Sequence, residues 1–259
     1  MTYLEAIALG VLQGITEFLP ISSSGHLILA EKFFNIKGTS LTFDVFLHMG
    51  TLLAVLIYFW QDWRNVLSFK RDEKNNPRLI FYLALATIPG VIAGLLLEDA
   101  VATVFRSAER VAFMLVFMSL PMILAEIFSR QKASVYQLNL SKALVIGCAQ
   151  ALAVIPGTSR SGITMSAGML VGLKRPEAAR FSFLLSAPII AGAGLYEALK
   201  VWQGGEHFSI VYVIGFLASF ISGIAVIAWL LRFLRAHTFY PFVIYRILLA
   251  AFIFWRLNG

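Results

Sequence analysis

Two apolar segments of this chain, residues 2–34 and 142–173, are each interrupted by a polar run, and the two runs repeat each other. The first reads Gly10-x-x-Gln13, then Glu17-Phe18-Leu19-Pro20-Ile21-Ser22-Ser23-Ser24-Gly25-His26. The second reads Gly147-x-x-Gln150, then Pro156-Gly157-Thr158-Ser159-Arg160-Ser161-Gly162. Gly10, Gln13, Ser24 and Gly25 recur 137 positions later as Gly147, Gln150, Ser161 and Gly162, while the prolines slip by one. Pro, Ser and Gly break each segment, and neither half is long enough to cross a bilayer. The pattern predicts two re-entrant helical hairpins, each with a polar turn between its helices. Irregular backbone at membrane depth survives only where protein or a wet cavity satisfies it.

The rest of the chain fixes the class. Of 259 residues 59% are hydrophobic and 14% charged, against about 25% charged in soluble domains. Mean hydropathy is +0.81. Apolar stretches of crossing length fall at 41–62, 79–97, 111–128, 178–199, 209–231 and 240–256. No soluble domain is expected, and no removable signal peptide, since the start lacks a basic n-region and a small-residue cleavage site. Prolines 89, 121, 188 and 241 read as kinks or helix starts. Cys148 reads as a small buried residue.

Charge sets the expected topology. The loops near 63–78, 129–142, 174–180 and 232–239 hold Arg64, Lys70, Arg71, Lys74, Arg78, Arg130, Lys132, Lys142, Lys174, Arg175, Arg180, Arg232 and Arg235, thirteen cations. The opposite side holds six: Lys32, Lys37, Arg106, Arg110, Lys200 and Arg256. The richer side is expected in the cytoplasm. The net charge of +7 is therefore topogenic, and nucleic-acid binding is not expected. The two hairpins then enter from opposite faces. The fold expected is an all-α integral membrane protein, with six transmembrane helices plus two re-entrant hairpins. It forms one domain, with an inverted-topology repeat over about 1–128 and 142–259.

The two turns carry the chemistry. In Pro156-Gly-Thr-Ser-Arg-Ser-Gly162, glycine allows close backbone approach, and hydroxyls and N–H groups at a helix start can cup an anion. Arg160 adds a planar fork suited to phosphate. Gly157, Ser159, Ser161 and Thr164 are phosphate-binding candidates, with Ser22 and Ser24 from the other turn. Ser23 can attack phosphorus and His26 can shuttle its proton. The same serines also read as an N-cap cluster for a helix over 25–34, with His26 on a carbonyl. Glu17 needs a partner at membrane depth: a divalent cation such as Mg²⁺ or Ca²⁺, His26 or Arg160. Gln13 supports it from one turn earlier. Asp44 and His48 share a helix face near an outer end, where hydration explains them, and the alternative is that they support the site's residues from behind. Glu98, Asp99, Glu126 and Lys200 read as helix-end residues. Arg246 lies in the last span, and snorkelling to lipid headgroups is its default reading.

At these residues the chain resembles the undecaprenyl-diphosphate phosphatase family, linked to bacitracin resistance. The family's [E/Q]-x-x-x-E motif stands as Gln13-Gly-Ile-Thr-Glu17, followed by Ser22-Ser-Ser-Gly-His26, and P-G-x-S-R-S-x-x-T stands as Pro156-Gly-Thr-Ser-Arg160-Ser-Gly-Ile-Thr164. Many members carry glutamate where this chain has Gln13. The resemblance covers nearly the whole length. It implies a hydrolase that releases phosphate from undecaprenyl diphosphate and returns the lipid carrier to peptidoglycan synthesis. It further implies dependence on a divalent cation, a place in the bacterial plasma membrane and a site open to the periplasmic side. The resemblance alone suggests a homodimer. Read from the residues, the nucleophile is Ser23, assisted by His26 or Glu17, or else His26 attacks or activates water. An inverted repeat with broken helices also suits a transporter that flips the lipid carrier.

Overall fold

The computed structural model describes residues 1–34, 36, 40–67, 76–103, 105, 107–204 and 209–258. Lys37, Lys70, Arg71, Lys74 and Arg106 of the charge count lie outside them, as do the side chains of Glu98, Asp99 and Lys200. The chain runs through α1 (Tyr3–Phe18), α2 (Ser23–Phe33), α3 (Leu41–Tyr58), α4 (Trp60–Leu67), α5 (Leu79–Thr103), α6 (Ala108–Phe117) and α7 (Ser119–Phe128). It continues through α8 (Leu140–Ala151), α9 (Arg160–Leu170), α10 (Arg175–Gly204), α11 (Ile210–Phe233) and α12 (Tyr240–Asn258). Short 3-10 turns lie at Val135–Gln137 and Leu152–Val154. Among the described residues β pairing is limited to an isolated bridge between Ala133 and Leu173.

Leu79–Leu97, Ala108–Phe128, Arg175–Tyr196, Ile210–Phe233 and Tyr240–Asn258 are each long and apolar enough to cross a membrane. The chain is an all-helical, multi-pass membrane protein. The stretch expected to cross at 41–62 is a bent pair that is apolar enough to cross only when taken together, with α3 and α4 meeting at 68°. The bend falls at Phe59, just before composition turns polar at Gln61, Asp62, Arg64 and Asn65. Span 108–128 breaks at Met118, between α6 and α7. Pro121 accounts for the break, since it lacks an N–H and its ring crowds the carbonyl four residues back.

The repeated glycines mark close helix crossings. A Cβ on Gly10 of α1 would stand 2.5 Å from the Gly215 carbonyl oxygen of α11. A Cβ on Gly147 of α8 would stand 2.6 Å from Ala86 Cα of α5. Each short helix of a broken segment is thus pressed against a long span of the other half of the chain. Small residues permit that approach. Cys148, next to Gly147, lies on the opposite face of α8 and is exposed, contrary to the expectation of burial. Helix phase explains this, because the buried face carries Ile146, Gly147 and Gln150.

At the cation-rich end, acids interlock with the start of α10. Asp62 pairs with Arg180 and accepts a hydrogen bond from Tyr136 Oη at 3.3 Å. Glu126 pairs with Arg175 and accepts from the Phe239 backbone N–H at 2.7 Å. Glu126 is thus a tie between α7, α10 and the start of α12, more than a helix-end residue.

Candidate active site

The two polar turns fold alike. Ser22 has φ 76°, ψ 95° and Ser159 has φ 72°, ψ 104°. Neither is glycine, and such a conformation costs roughly 1–3 kcal/mol unless its surroundings hold it. Here each serine caps the following helix: Ser22 Oγ accepts from Gly25 N at 3.3 Å and Ser159 Oγ from Gly162 N at 3.1 Å. The helices therefore begin at Ser23 and Arg160, the first two residues earlier than the expected helix over 25–34, and those two residues occupy equivalent positions.

The turns also bond to each other. Gly157 N donates to Ser22 Oγ at 3.0 Å, and Ser161 Oγ donates to the Leu19 carbonyl at 2.9 Å. Gly157 has φ 93°, and a Cβ there would lie 2.8 Å from Met114 Cβ, so only glycine fits the junction.

Glu17, at the end of α1, is where the turns converge. Arg160 Nη2 donates to Glu17 Oε1 at 2.6 Å. Ser23 Oγ donates to Glu17 Oε2 at 2.7 Å, and Gln13 Nε2 donates to the same oxygen at 3.0 Å. His48 Nε2 lies 3.6 Å from Glu17 Oε2. Of the two side chains considered as partners for Glu17, Arg160 is bonded to it and His26 is not. Arg160 Nη1 also donates to the Ser182 carbonyl at 3.0 Å. Thr164 Oγ1 bonds the Arg160 carbonyl and the Ser182 hydroxyl, both at 2.7 Å, so it braces the arginine from behind. Ser24 Oγ lies 3.5 Å from Ser22 Oγ.

His26 faces elsewhere. Its Nδ1 bonds the Ser22 carbonyl at 2.7 Å, as the capping alternative expected. A carbonyl only accepts, so Nδ1 carries a proton. In the neutral ring Nε2 then accepts from Tyr245 Oη at 2.7 Å, and the rings stack 5.7 Å apart. Both ring nitrogens are thus engaged away from Ser23. His48 is the imidazole beside the carboxylate. Its Nδ1 donates to the Asp44 carbonyl at 2.8 Å, which turns Nε2 inward. At 31% side-chain exposure it is the open flank of the cluster, against 6% for Glu17 and 13% for Arg160.

Two comparisons bear on this arrangement. The family model described as bacitracin resistance protein BacA matches residues 6–252. The chain belongs to the BacA family. A protein of Moorella thermoacetica named undecaprenyl-diphosphatase is 46% identical over 98% of this chain and 99% of its own. One of the same name from Desulforudis audaxviator is 45% identical over 96% and 95%.

In this BacA-family chain the donor set at Glu17 bears on cation binding. Among the described residues no three His, Cys, Asp or Glu side chains gather to hold a metal. What stands at Glu17 is one carboxylate, the Ser23 hydroxyl and Gln13 Oε1, which is buried without a partner. Hard oxygens of that kind fit a Mg²⁺ or Ca²⁺ shared with substrate phosphates, and do not fit an all-protein cage.

Sequence reading gave four residues too little. Arg246 is wholly buried and does not snorkel. An ionisable residue inside a span is itself a signal of function, and that signal was present. His48 stood four residues after Asp44, with nothing to tie it to Glu17. Tyr245 and Ser182 carry no sequence signal.

Proposed function

We propose that this protein hydrolyses undecaprenyl diphosphate to undecaprenyl phosphate and inorganic phosphate, as the names of its relatives suggest. The observation that carries the reading is the single carboxylate of Glu17, which holds a serine hydroxyl on one oxygen and a guanidinium on the other.

The geometry supports the following order of events. The diphosphate headgroup enters past His48 and takes Arg160 from Glu17, since phosphate oxygens offer the fork an equal partner. Relieved of the arginine, Glu17 becomes a stronger base for the proton of Ser23. Ser23 Oγ attacks the terminal phosphorus. The bond from that phosphorus to the bridging oxygen breaks, and the electron pair leaves with undecaprenyl phosphate. Water then attacks the phosphoserine and gives up one proton, while the serine oxygen regains one. Helix starts at Ser23 and Arg160 present N–H groups to the phosphoryl oxygens. Glu17 is favoured over His26 as proton acceptor because the His26 nitrogens are engaged by Ser22 and Tyr245. A divalent cation, held by Glu17 and Gln13 Oε1 with substrate oxygens, would neutralise phosphate charge.

The repeat at 137 residues, the shared backbone of Ser22 and Ser159, and the reciprocal crossings of α1 on α11 and α8 on α5 support six spans with two re-entrant hairpins in inverted topology. The interlocked acids and arginines at the cation-rich end support a site that opens to the opposite, periplasmic face of the bacterial plasma membrane.

The test is phosphate release from undecaprenyl diphosphate by purified protein in detergent. Parent and Arg160→Ala are run side by side, with Mg²⁺ or Ca²⁺ and with chelator. Equal activity of the two proteins refutes the site.

A further inference from the structure

Arg246 of α12 donates to six oxygens. Nε reaches the Leu115 carbonyl and Ser119 Oγ, each at 3.0 Å. Nη1 reaches the Pro20 carbonyl at 3.3 Å and the Thr158 carbonyl at 3.2 Å. Nη2 reaches the Met114 carbonyl at 3.3 Å and the Gly157 carbonyl at 3.0 Å. One guanidinium thus grips the first turn, the second turn and α6 at its break. All six partners are neutral, so the buried charge is met by dipoles and by no carboxylate. A buried charge kept without an acid is costly, and a neutral side chain would fill the same volume more cheaply. The neighbouring residue adds a tie from the same helix, because Tyr245 Oη bonds His26 Nε2.

The grip has a direction. In a trans peptide the C=O and the following N–H point opposite ways. Drawing the Pro20, Gly157 and Thr158 oxygens onto Arg246 keeps three partial negative charges turned to the guanidinium. These are the oxygens of the backbone that leads into Ser22 and Ser159, at the starts of α2 and α9. Of the N–H groups that follow these carbonyls, those of Ile21 and Thr158 are taken up by the Leu19 carbonyl at 2.8 Å and the Ile155 carbonyl at 3.2 Å, so an anion at the helix starts meets the amides of the first helical turns, with a full positive charge behind the turns.

We propose that Arg246 is a positioning residue that sets the spacing and polarity of the two serine turns, and so governs affinity for the diphosphate group. This rests on the phosphatase reading. It goes beyond that reading in assigning control of anion affinity to a side chain that touches no substrate.

The experiment compares parent, Arg246→Lys and Arg246→Met in detergent. It records thermal unfolding, inorganic pyrophosphate binding by calorimetry, and kcat and KM for undecaprenyl diphosphate. Lysine keeps a charge but cannot span three segments with a planar fork. Pyrophosphate binding by folded protein is expected to weaken about threefold in Arg246→Lys and about tenfold in Arg246→Met, in line with loss of charge-assisted bonds, with KM rising in parallel. A merely structural arginine would lower the folded fraction and leave the affinity and KM of the folded fraction at parent values; that result overturns the proposal. Should Arg246→Met not fold, Arg246→Lys decides alone. A parent that binds pyrophosphate yet releases no phosphate would fail the phosphatase reading while leaving the affinity comparison intact.

Discussion

Ser22 and Ser159, 137 residues apart, hold the same left-handed backbone conformation and cap equivalent helices. The residues that follow them, Ser23 and Arg160, both donate to Glu17. One carboxylate therefore reads two copies of the same turn, one copy supplying a hydroxyl and the other a cation. The position equivalent to Glu17 in the second segment is Val154, so the site is one-sided although the turns are alike.

Arg160→Ala is expected to lower kcat/KM by about 10²–10³-fold, the scale for loss of one charge-stabilising donor. Gln13→Ala is expected to cost less, because Gln13 only supports the carboxylate. Phosphate release under identical cation conditions checks the order of the two.

Ser23→Ala is expected to abolish turnover and the trapped phosphoenzyme together. Rapid acid quench with a substrate labelled at the terminal phosphorus, followed by peptide mapping, locates the intermediate. Label on His26 would replace the serine mechanism.

Ser159→Gly is expected to destabilise less than Ser159→Ala. Alanine keeps the cost of a positive φ and loses the cap, about 0.5–2 kcal/mol, whereas glycine in place of a cap costs only a few tenths. Melting of the purified variants measures the difference, and the reverse order would mean that the turn relaxes out of its left-handed form.

Gly10→Ala is expected to lower the melting temperature, whereas Gly94→Ala is expected to be near neutral. A Cβ at Gly10 meets the backbone of α11, while one at Gly94 meets nothing within 4 Å. Overpacking of this kind costs about 1–3 kcal/mol. Parallel thermal unfolding of the two variants decides it.

Removal of divalent cations by chelator is expected to suppress turnover while leaving the melting temperature near that of the untreated protein. The donor set at Glu17 suits a cation that arrives with phosphate, so the fold does not depend on one. A large drop in melting temperature with chelator would indicate a resident ion.

The helical class and most span positions were legible from apolar length alone, because a bilayer demands runs of about 20 residues. The bend at Phe59 was not, since it depends on polar residues that begin only at Gln61. The convergence of Glu17, Ser23 and Arg160 could be anticipated from a repeated pattern of residues that have little use in packing. His48 and Tyr245 could not, because their partners are set by how α3 and α12 lie against the turns. Cys148 and Gly147 show the limit of composition: adjacent residues in one apolar helix end on opposite faces.

Arg246 also bears on the order of synthesis. It lies in the last helix, and its acceptors lie near residues 20, 115 and 158. A ribosome will have released both turns into the membrane well before their common anchor is made. Until then the turns lack the cation that draws their carbonyls aside, so the nascent protein is without its finished site. Completion of the catalytic centre thus coincides with insertion of the C-terminal helix, and a chain truncated before Tyr240 would accumulate as spans without a working headgroup pocket.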